Sequence, residues 1–252
     1  DCCTASGHRI ISMLPTFMYA ERGKEFFVNQ YLPSHYIGKD FAFQISGNYP
    51  EAENMELTVL SEKAVDRVLN LRIPSWCKAP RVSVNGKNVI GVKPGTYLKI
   101  SRKWSKGDKV SIVFPMEERW VMREHHSKYT TYTLPRGEIM YKEEPTDRIP
   151  YAFLRGPMVY CLDMVWNKQL CNDDVDLAKD IRLNVSVKPS VVDKPYANMV
   201  GPVYRTKALY KGSEVEVLLT PFVDIGQWFR PSGQKPEKNA EMFTYGIWLY
   251  KE

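Results

Sequence analysis

The hydrophobic period changes once along this chain, and that change limits the fold more than any other feature. Between Arg9 and Glu21, the residues Ile10, Met13, Leu14, Phe17 and Met18 recur at the i, i+3, i+4, i+7, i+8 spacing of one helix face. Pro15 falls inside the stripe and predicts a kink or a place in the first turn, and Gly23 reads as the stop. Beyond Gly23 the period is two. Glu25–Leu32, Phe41–Ser46, Met55–Leu60, Val65–Ile73, Arg81–Val84, Tyr97–Ser101 and Lys109–Phe114 read as strands. Val82-Ser83-Val84 followed by Asn85-Gly86 predicts a hairpin, because both turn residues tolerate the positive φ of a type I′ turn. Lys106-Gly107-Asp108 predicts another turn.

Glu124–Pro150 is polar and rich in Tyr, Thr, His and Glu, and reads as a long loop or a junction. Strand patterning resumes at Tyr151–Leu154 and Pro157–Leu162, then at Ile181–Val187, Val203–Tyr210, Glu214–Leu219 and Phe243–Tyr250. Lys168–Lys179 could hold a short helix, and Gly226–Ala240 reads as a second long loop. At 252 residues the chain is large for one domain. The expected class is therefore all-β: a helix over residues 1–23, a β-sandwich over 24–124 and a second over 125–252.

Composition removes several functions. No run approaches the roughly 18 apolar residues of a membrane span. Net charge is +6, with the basic residues scattered. The densest basic stretch, Arg119–Lys128, is diluted by Glu117, Glu118 and Glu124, so neither nucleic acid nor membrane is an expected partner. The chain opens on Asp1 without an initiator Met or a signal core, and is expected to start within a longer protein.

Five cysteines are present. Cys77, Cys161 and Cys171 sit far apart in apolar contexts and read as small buried hydrophobes. Cys2 and Cys3 are adjacent and polar-flanked. Neighbouring thiols are poor disulfide partners, but they can ligate a soft metal together with two donors from elsewhere. A thiolate is also a strong nucleophile once its pKa is lowered. The competing reading is two frayed thiols at a terminus, since two ligands do not complete a four-ligand site. His125-His126, Glu117-Glu118 and Asp173-Asp174 are pairs in sequence only and read as surface groups. The six tryptophans raise sugar stacking, with Trp228 the one expected to be exposed. Asn184-Val185-Ser186 fits a glycosylation sequon, a frequent chance match.

Several segments together resemble the C-terminal part of glycoside hydrolase family 127, the β-L-arabinofuranosidase-like enzymes. Cys2-Cys3-Thr4-Ala5-Ser6-Gly7-His8-Arg9 is similar to the family's Cys-Cys-Pro-x-Asn segment leading into a helix, with Thr4, Ala5 and Ser6 departing from it. Leu71-Arg72-Ile73-Pro74-Ser75-Trp76-Cys77 resembles its next motif. Val82–Gly86, Gly95–Leu98, Trp104–Asp108 and Leu154–Cys161 follow in the family's order. Pro221-Phe222 and Ile247–Leu249 resemble the closing segments more loosely.

The resemblance implies an (α/α)₆ catalytic barrel followed by two β-sandwiches, with residues 1–22 as the last barrel helix. It further implies a retaining glycosidase acting on plant or glycoprotein-type glycans. In the family the first cysteine is nucleophile and zinc ligand and the second is a zinc ligand, a role carried over here to Cys2 and Cys3. The remaining ligands and the acid/base lie upstream, so zinc is expected in the intact parent, and this chain alone is expected to be inactive, with metal-free as the other expectation for it. The expected partners are a carbohydrate and the N-terminal barrel. A periplasmic or secreted location is favoured over the cytoplasm. The alternative function is a non-catalytic carbohydrate-binding or structural β-sandwich module. Without the barrel, the stripe Ile10, Met13, Leu14, Phe17 must pack on the first sandwich or drive self-association.

Overall fold

The computed structural model describes residues 2–123, 129–133, 139–143, 150–163, 166–170, 181–195, 197–224, 245–246 and 249–251. The chain divides into two compact units, Asp1–Glu117 and Glu118–Glu252.

The first unit opens with α1 (Cys2–Met18), which contains Pro15. Ten strands follow: β1 (Tyr19–Arg22), β2 (Glu25–Val28), β3 (Ser34–Ile37), β4 (Ala42–Gly47), β5 (Asn54–Val59), β6 (Val65–Arg72), β7 (Arg81–Val84), β8 (Lys87–Asn88), β9 (Tyr97–Trp104) and β10 (Lys109–Val113). They form a four-stranded sheet, β1-β2-β6-β9, and a six-stranded sheet, β3-β4-β5-β10-β7-β8. All neighbours are antiparallel except β2 and β6.

Alternation builds the core between these sheets. Phe26, Val28, Leu69, Leu71 and Leu98 point inward from the first sheet, and Phe43, Ile45, Leu57, Val59, Val110 and Ile112 from the second. Each such side chain contributes on the order of 1.5–3 kcal/mol by leaving water. Trp104 is fully buried, with its indole N–H donated to the Arg67 carbonyl at 3.2 Å.

One expectation fails at the helix end. The stripe ran to Glu21, yet α1 stops at Met18 and Tyr19–Arg22 pair with Glu25–Val28. Gly23, at φ +59°, makes the hairpin turn and does not cap the helix. The reason is packing: as a strand residue, Tyr19 sets its ring 5.2–5.8 Å from Phe26, Tyr36 and Phe43. The Asn85-Gly86 turn forms as expected, with φ values of 49° and 77°.

The second unit holds β11 (Glu118–Met122), β12 (Tyr129–Thr133), β13 (Ile139–Glu143), β14 (Pro150–Arg155), β15 (Met158–Asp163), β16 (Ile181–Leu183), β17 (Ser190–Val192), β18 (Val203–Tyr210), β19 (Ser213–Pro221), β20 (Tyr245–Gly246) and β21 (Leu249–Lys251). The segment read as a long loop thus contains a hairpin, β12–β13. In the large sheet the path β14-β21-β16-β18-β19-β15 returns to β14 through the β14–β15 hairpin. Phe153, Tyr160, Leu162, Ile181, Leu183, Tyr204, Val217 and Leu219 form its core. Lys168–Leu170 is a short 3₁₀ turn, and the rest of the expected helix lies outside the described residues. Among the described residues no helix is long and apolar enough to cross a membrane. The chain is all-β apart from α1 and two 3₁₀ turns among the described residues.

Candidate functional site

Cys2 and Cys3 open α1, and their side chains lie outside the described residues. Residues one apart on a helix point about 100° from each other. The pair can therefore offer two sulfurs to one soft cation only from the rim of a site completed by other segments. Among the described residues no three His, Cys, Asp or Glu side chains gather.

The helix that carries the pair is bare along its apolar face. Ile10 is 62% exposed, Ile11 65% and Phe17 53%, while Met18 is buried. The face therefore does not pack on the first sandwich, which removes one of the two expectations for it. Pro15 removes the N–H that the Ile11 carbonyl would accept. The hydroxyls of Ser12 and Thr16 donate to the Arg9 and Met13 carbonyls at 2.9 and 2.6 Å.

Where α1 meets the sheet, the geometry is well defined. Asn29, just past β2, donates its side-chain amide to the Phe17 carbonyl at 3.2 Å and its backbone N–H to the Met18 carbonyl at 2.8 Å. Tyr97 Oη on β9 donates to Asn29 Oδ1 at 2.6 Å. The Tyr97 ring stands edge-on to Phe27 at 5.6 Å. Beside them Glu25 accepts from Arg22 at 2.5 Å and pairs with Lys99 at 2.9 Å, and these two cations hold its carboxyl below the usual range. Tyr36 Oη donates to Glu21 at 2.6 Å, and burial and that acceptor push its hydroxyl up to about 12. Asn29 and Tyr97 were not visible as site-related residues in the sequence. The only signal was a polar residue at the end of an alternating strand.

The other flagged residues take structural places. Cys77 and Cys161 are buried free thiols, as their contexts implied. Burial pushes Cys161 up to about 12 despite its contact with Thr220. Glu117 pairs with Lys78 at 2.7 Å. Glu118 accepts from Tyr204 Oη at 2.7 Å and lies 3.4 Å from Lys188. Trp76 packs edge-on to Phe114 at 6.2 Å, and Trp120 packs on Phe153 at 5.0 Å. Asn184 sits in a turn in which its Oδ1 accepts the Ser186 N–H at 3.1 Å. Cys171, Asp173, Asp174, His125, His126, Trp228 and Trp248 lie outside the described residues.

A helix feeding two successive strand-built units, with a cysteine pair at the head of the helix, defines the class: an all-β chain of two units behind a single leading helix. Comparison with known proteins shows what the chain is similar to. Residues 25–116 match the family described as β-L-arabinofuranosidase, GH127 middle domain. The chain is 26% identical over 186 residues to the non-reducing end β-L-arabinofuranosidase of Bifidobacterium longum subsp. longum, covering 68% of this chain and 25% of that protein. Among solved structures, a family 127 β-L-arabinofuranosidase from Geobacillus stearothermophilus T6 superposes over 100% of this chain with a TM-score of 0.67, at 23% identity. A family 127 β-arabinofuranosidase does so with a TM-score of 0.66 at 24% identity. These two likenesses show the fold. The resemblance of this chain to the C-terminal part of family 127 stands on the family match, the curated relative and the order of its motifs. The chain spans 25% of the curated relative and 37–38% of the two solved chains.

Proposed function

We propose that this chain is the C-terminal portion of a retaining β-L-arabinofuranosidase-like glycoside hydrolase, with Cys2 as the nucleophile. The match of residues 25–116 to the family's middle domain carries this reading, and the cysteine pair lies ahead of the matched segment, at the head of α1. The activity of the curated relative supplies the substrate class, a terminal β-L-arabinofuranosyl residue. The donor set fits zinc: Cys2 and Cys3 would hold it with two further ligands outside this chain, and when bound it lowers the pKa of the thiol it touches.

The chemistry of the chain's own residue follows. Cys2 Sγ, as thiolate, forms a bond to the anomeric carbon while the glycosidic C–O bond breaks. The departing oxygen takes its proton from a carboxylic acid outside this chain. Water then gives a proton to the resulting carboxylate and attacks the same carbon, the C–S bond breaks, and the sulfur leaves as thiolate. Two inversions give net retention. Residues 1–252 alone are expected not to turn over, since no residue here maps onto the acid/base.

The test is hydrolysis of an aryl β-L-arabinofuranoside by the complete gene product. Cys2→Ala is expected to reduce kcat by about 10⁴-fold or more, and Cys3→Ala to lower zinc content in elemental analysis. Undiminished turnover by Cys2→Ala would overturn the assignment.

A further inference from the structure

The geometry points to Asn29 and Tyr97 as positioning residues that aim the helix carrying Cys2 and Cys3. This rests on the proposed function for its catalytic consequence, while the mechanical part stands on the contacts alone.

An α-helix leaves its last carbonyls without intrahelical donors. In α1 one residue satisfies two of them. Asn29 gives its backbone N–H to Met18 and its side-chain amide to Phe17, at 2.8 and 3.2 Å. The first bond extends the β1–β2 ladder by one step, since Tyr19 already pairs with Val28. The second locks the final turn onto that ladder. An amide can present either its oxygen or its nitrogen, and the Tyr97 hydroxyl decides which. By donating to Oδ1 at 2.6 Å it leaves Nδ2 facing the helix. Tyr97 is in turn fixed by its ring against Phe27. Tyr97 stands on β9 and Phe27 on β2, the two strands that flank β6.

Within these residues the apolar face of α1 is exposed, and among its described side chains Met18 alone is buried, so the clamp fixes where the helix leaves the sheet. The fifteen residue-to-residue steps from Cys2 to Phe17 span about 22 Å at 1.5 Å each. A tilt of about 10° at this clamp moves the cysteine end by about 4 Å. Displacements of about 1 Å are enough to cost about a hundredfold in rate at a reacting centre.

Asn29→Asp tests this with almost no change of shape. The carboxylate still accepts from Tyr97 and the backbone N–H still reaches Met18, but an oxygen now faces the Phe17 carbonyl. In the complete gene product, amide exchange read by mass spectrometry is expected to rise about tenfold across the last turns of α1, with β6 unchanged. With the aryl β-L-arabinofuranoside, kcat is expected to fall at least about tenfold while KM stays within about twofold. Tyr97→Phe is expected to shift both in the same direction by about threefold, which covers the case in which Asn29→Asp fails to fold. Unchanged α1 exchange in both variants overturns the clamp. Faster exchange with unchanged kcat overturns its positioning role. A wild-type protein without turnover overturns the arabinofuranosidase reading and leaves the clamp to be decided by exchange.

Discussion

At the scale of single residues, backbone conformations that only glycine tolerates give sharp expectations. Gly47 closes β4 at φ +126°, and a Cβ there would sit 2.6 Å from the Asn54 carbonyl oxygen of the partner strand. That oxygen belongs to the backbone of β5 and cannot swing aside. Gly47→Ala should therefore destabilise the protein by about 2–3 kcal/mol, strain and contact together. The guanidinium midpoint reads it, and an unshifted midpoint would contradict the geometry. Other residues were legible before any coordinates. Asn85 and Gly86 announced a tight turn by type alone. The structure adds that Asn85 also donates to Asp108 at 2.7 Å and accepts the Lys109 N–H at 2.8 Å, linking the two turns. That link was invisible because its partners lie more than twenty positions apart. Asn29 was missed for the same reason: its meaning as a cap depends on a helix end reached through a hairpin.

At the scale of elements, periodicity located seven of the ten strands of the first unit, missed the short β3 and β8, and failed at β1, where two patterns overlapped. Tyr19 fits the helical stripe and also the inward face of a strand. The aromatic cluster around Phe26 and Phe43 decides for the strand, and no local preference encodes that contact. In the second unit, Tyr129–Thr133 and Ile139–Glu143 are polar enough to read as loop, yet they pair residue by residue from Tyr129↔Glu143 to Thr133↔Ile139. Backbone pairing does not need an apolar face, so hydropathy could not reveal it. The helix stripe itself was legible and remains uncovered. Ile10, Ile11, Met13, Leu14 and Phe17 all stay at least 36% exposed. Each would gain on the order of 1.5–3 kcal/mol by leaving water. Residues 1–252 produced by themselves should therefore self-associate at micromolar concentration, and the double change Ile10→Ser, Phe17→Ser should shift the light-scattering mass toward the monomer. A wild-type chain that stays monomeric across a hundredfold concentration range would show that this face is tolerated bare. The Cys pair at the helix head stood out by residue type alone, and among the described residues no three His, Cys, Asp or Glu side chains gather.

For the whole molecule, both units hold neutral acids that burial keeps from ionising, which ties stability to alkaline pH. In the first unit the hydroxyls of Tyr36 and Tyr49 are pushed from 10.0 up to about 12, by desolvation above all, and Tyr31 is raised further. In the second, Cys161 is pushed from 9.0 up to about 12, and Tyr160 and Tyr204 are raised further, again chiefly by burial. Each folded pKa lies above its unfolded value, so the folded state binds the proton more tightly. The associated stability is complete below about pH 9 and is lost progressively as pH rises toward about 12. For Cys161, a fully buried thiol, the slope across that window approaches about 1.4 kcal/mol per pH unit. Guanidinium midpoints should be level from pH 7 to 8.5 and fall steadily by pH 11. Cys161→Val removes one titrating group from the second unit only. It should flatten the decline in a probe of that unit, such as Trp120 fluorescence, and leave amide exchange of the first unit's core strands at its wild-type pH dependence. The same burial should leave Cys77 and Cys161 unmodified by iodoacetamide at pH 8 until denaturant is added. Midpoints that hold level to pH 11 would mean these groups already reach water in the folded chain, and the two cores would then be looser than their packing implies.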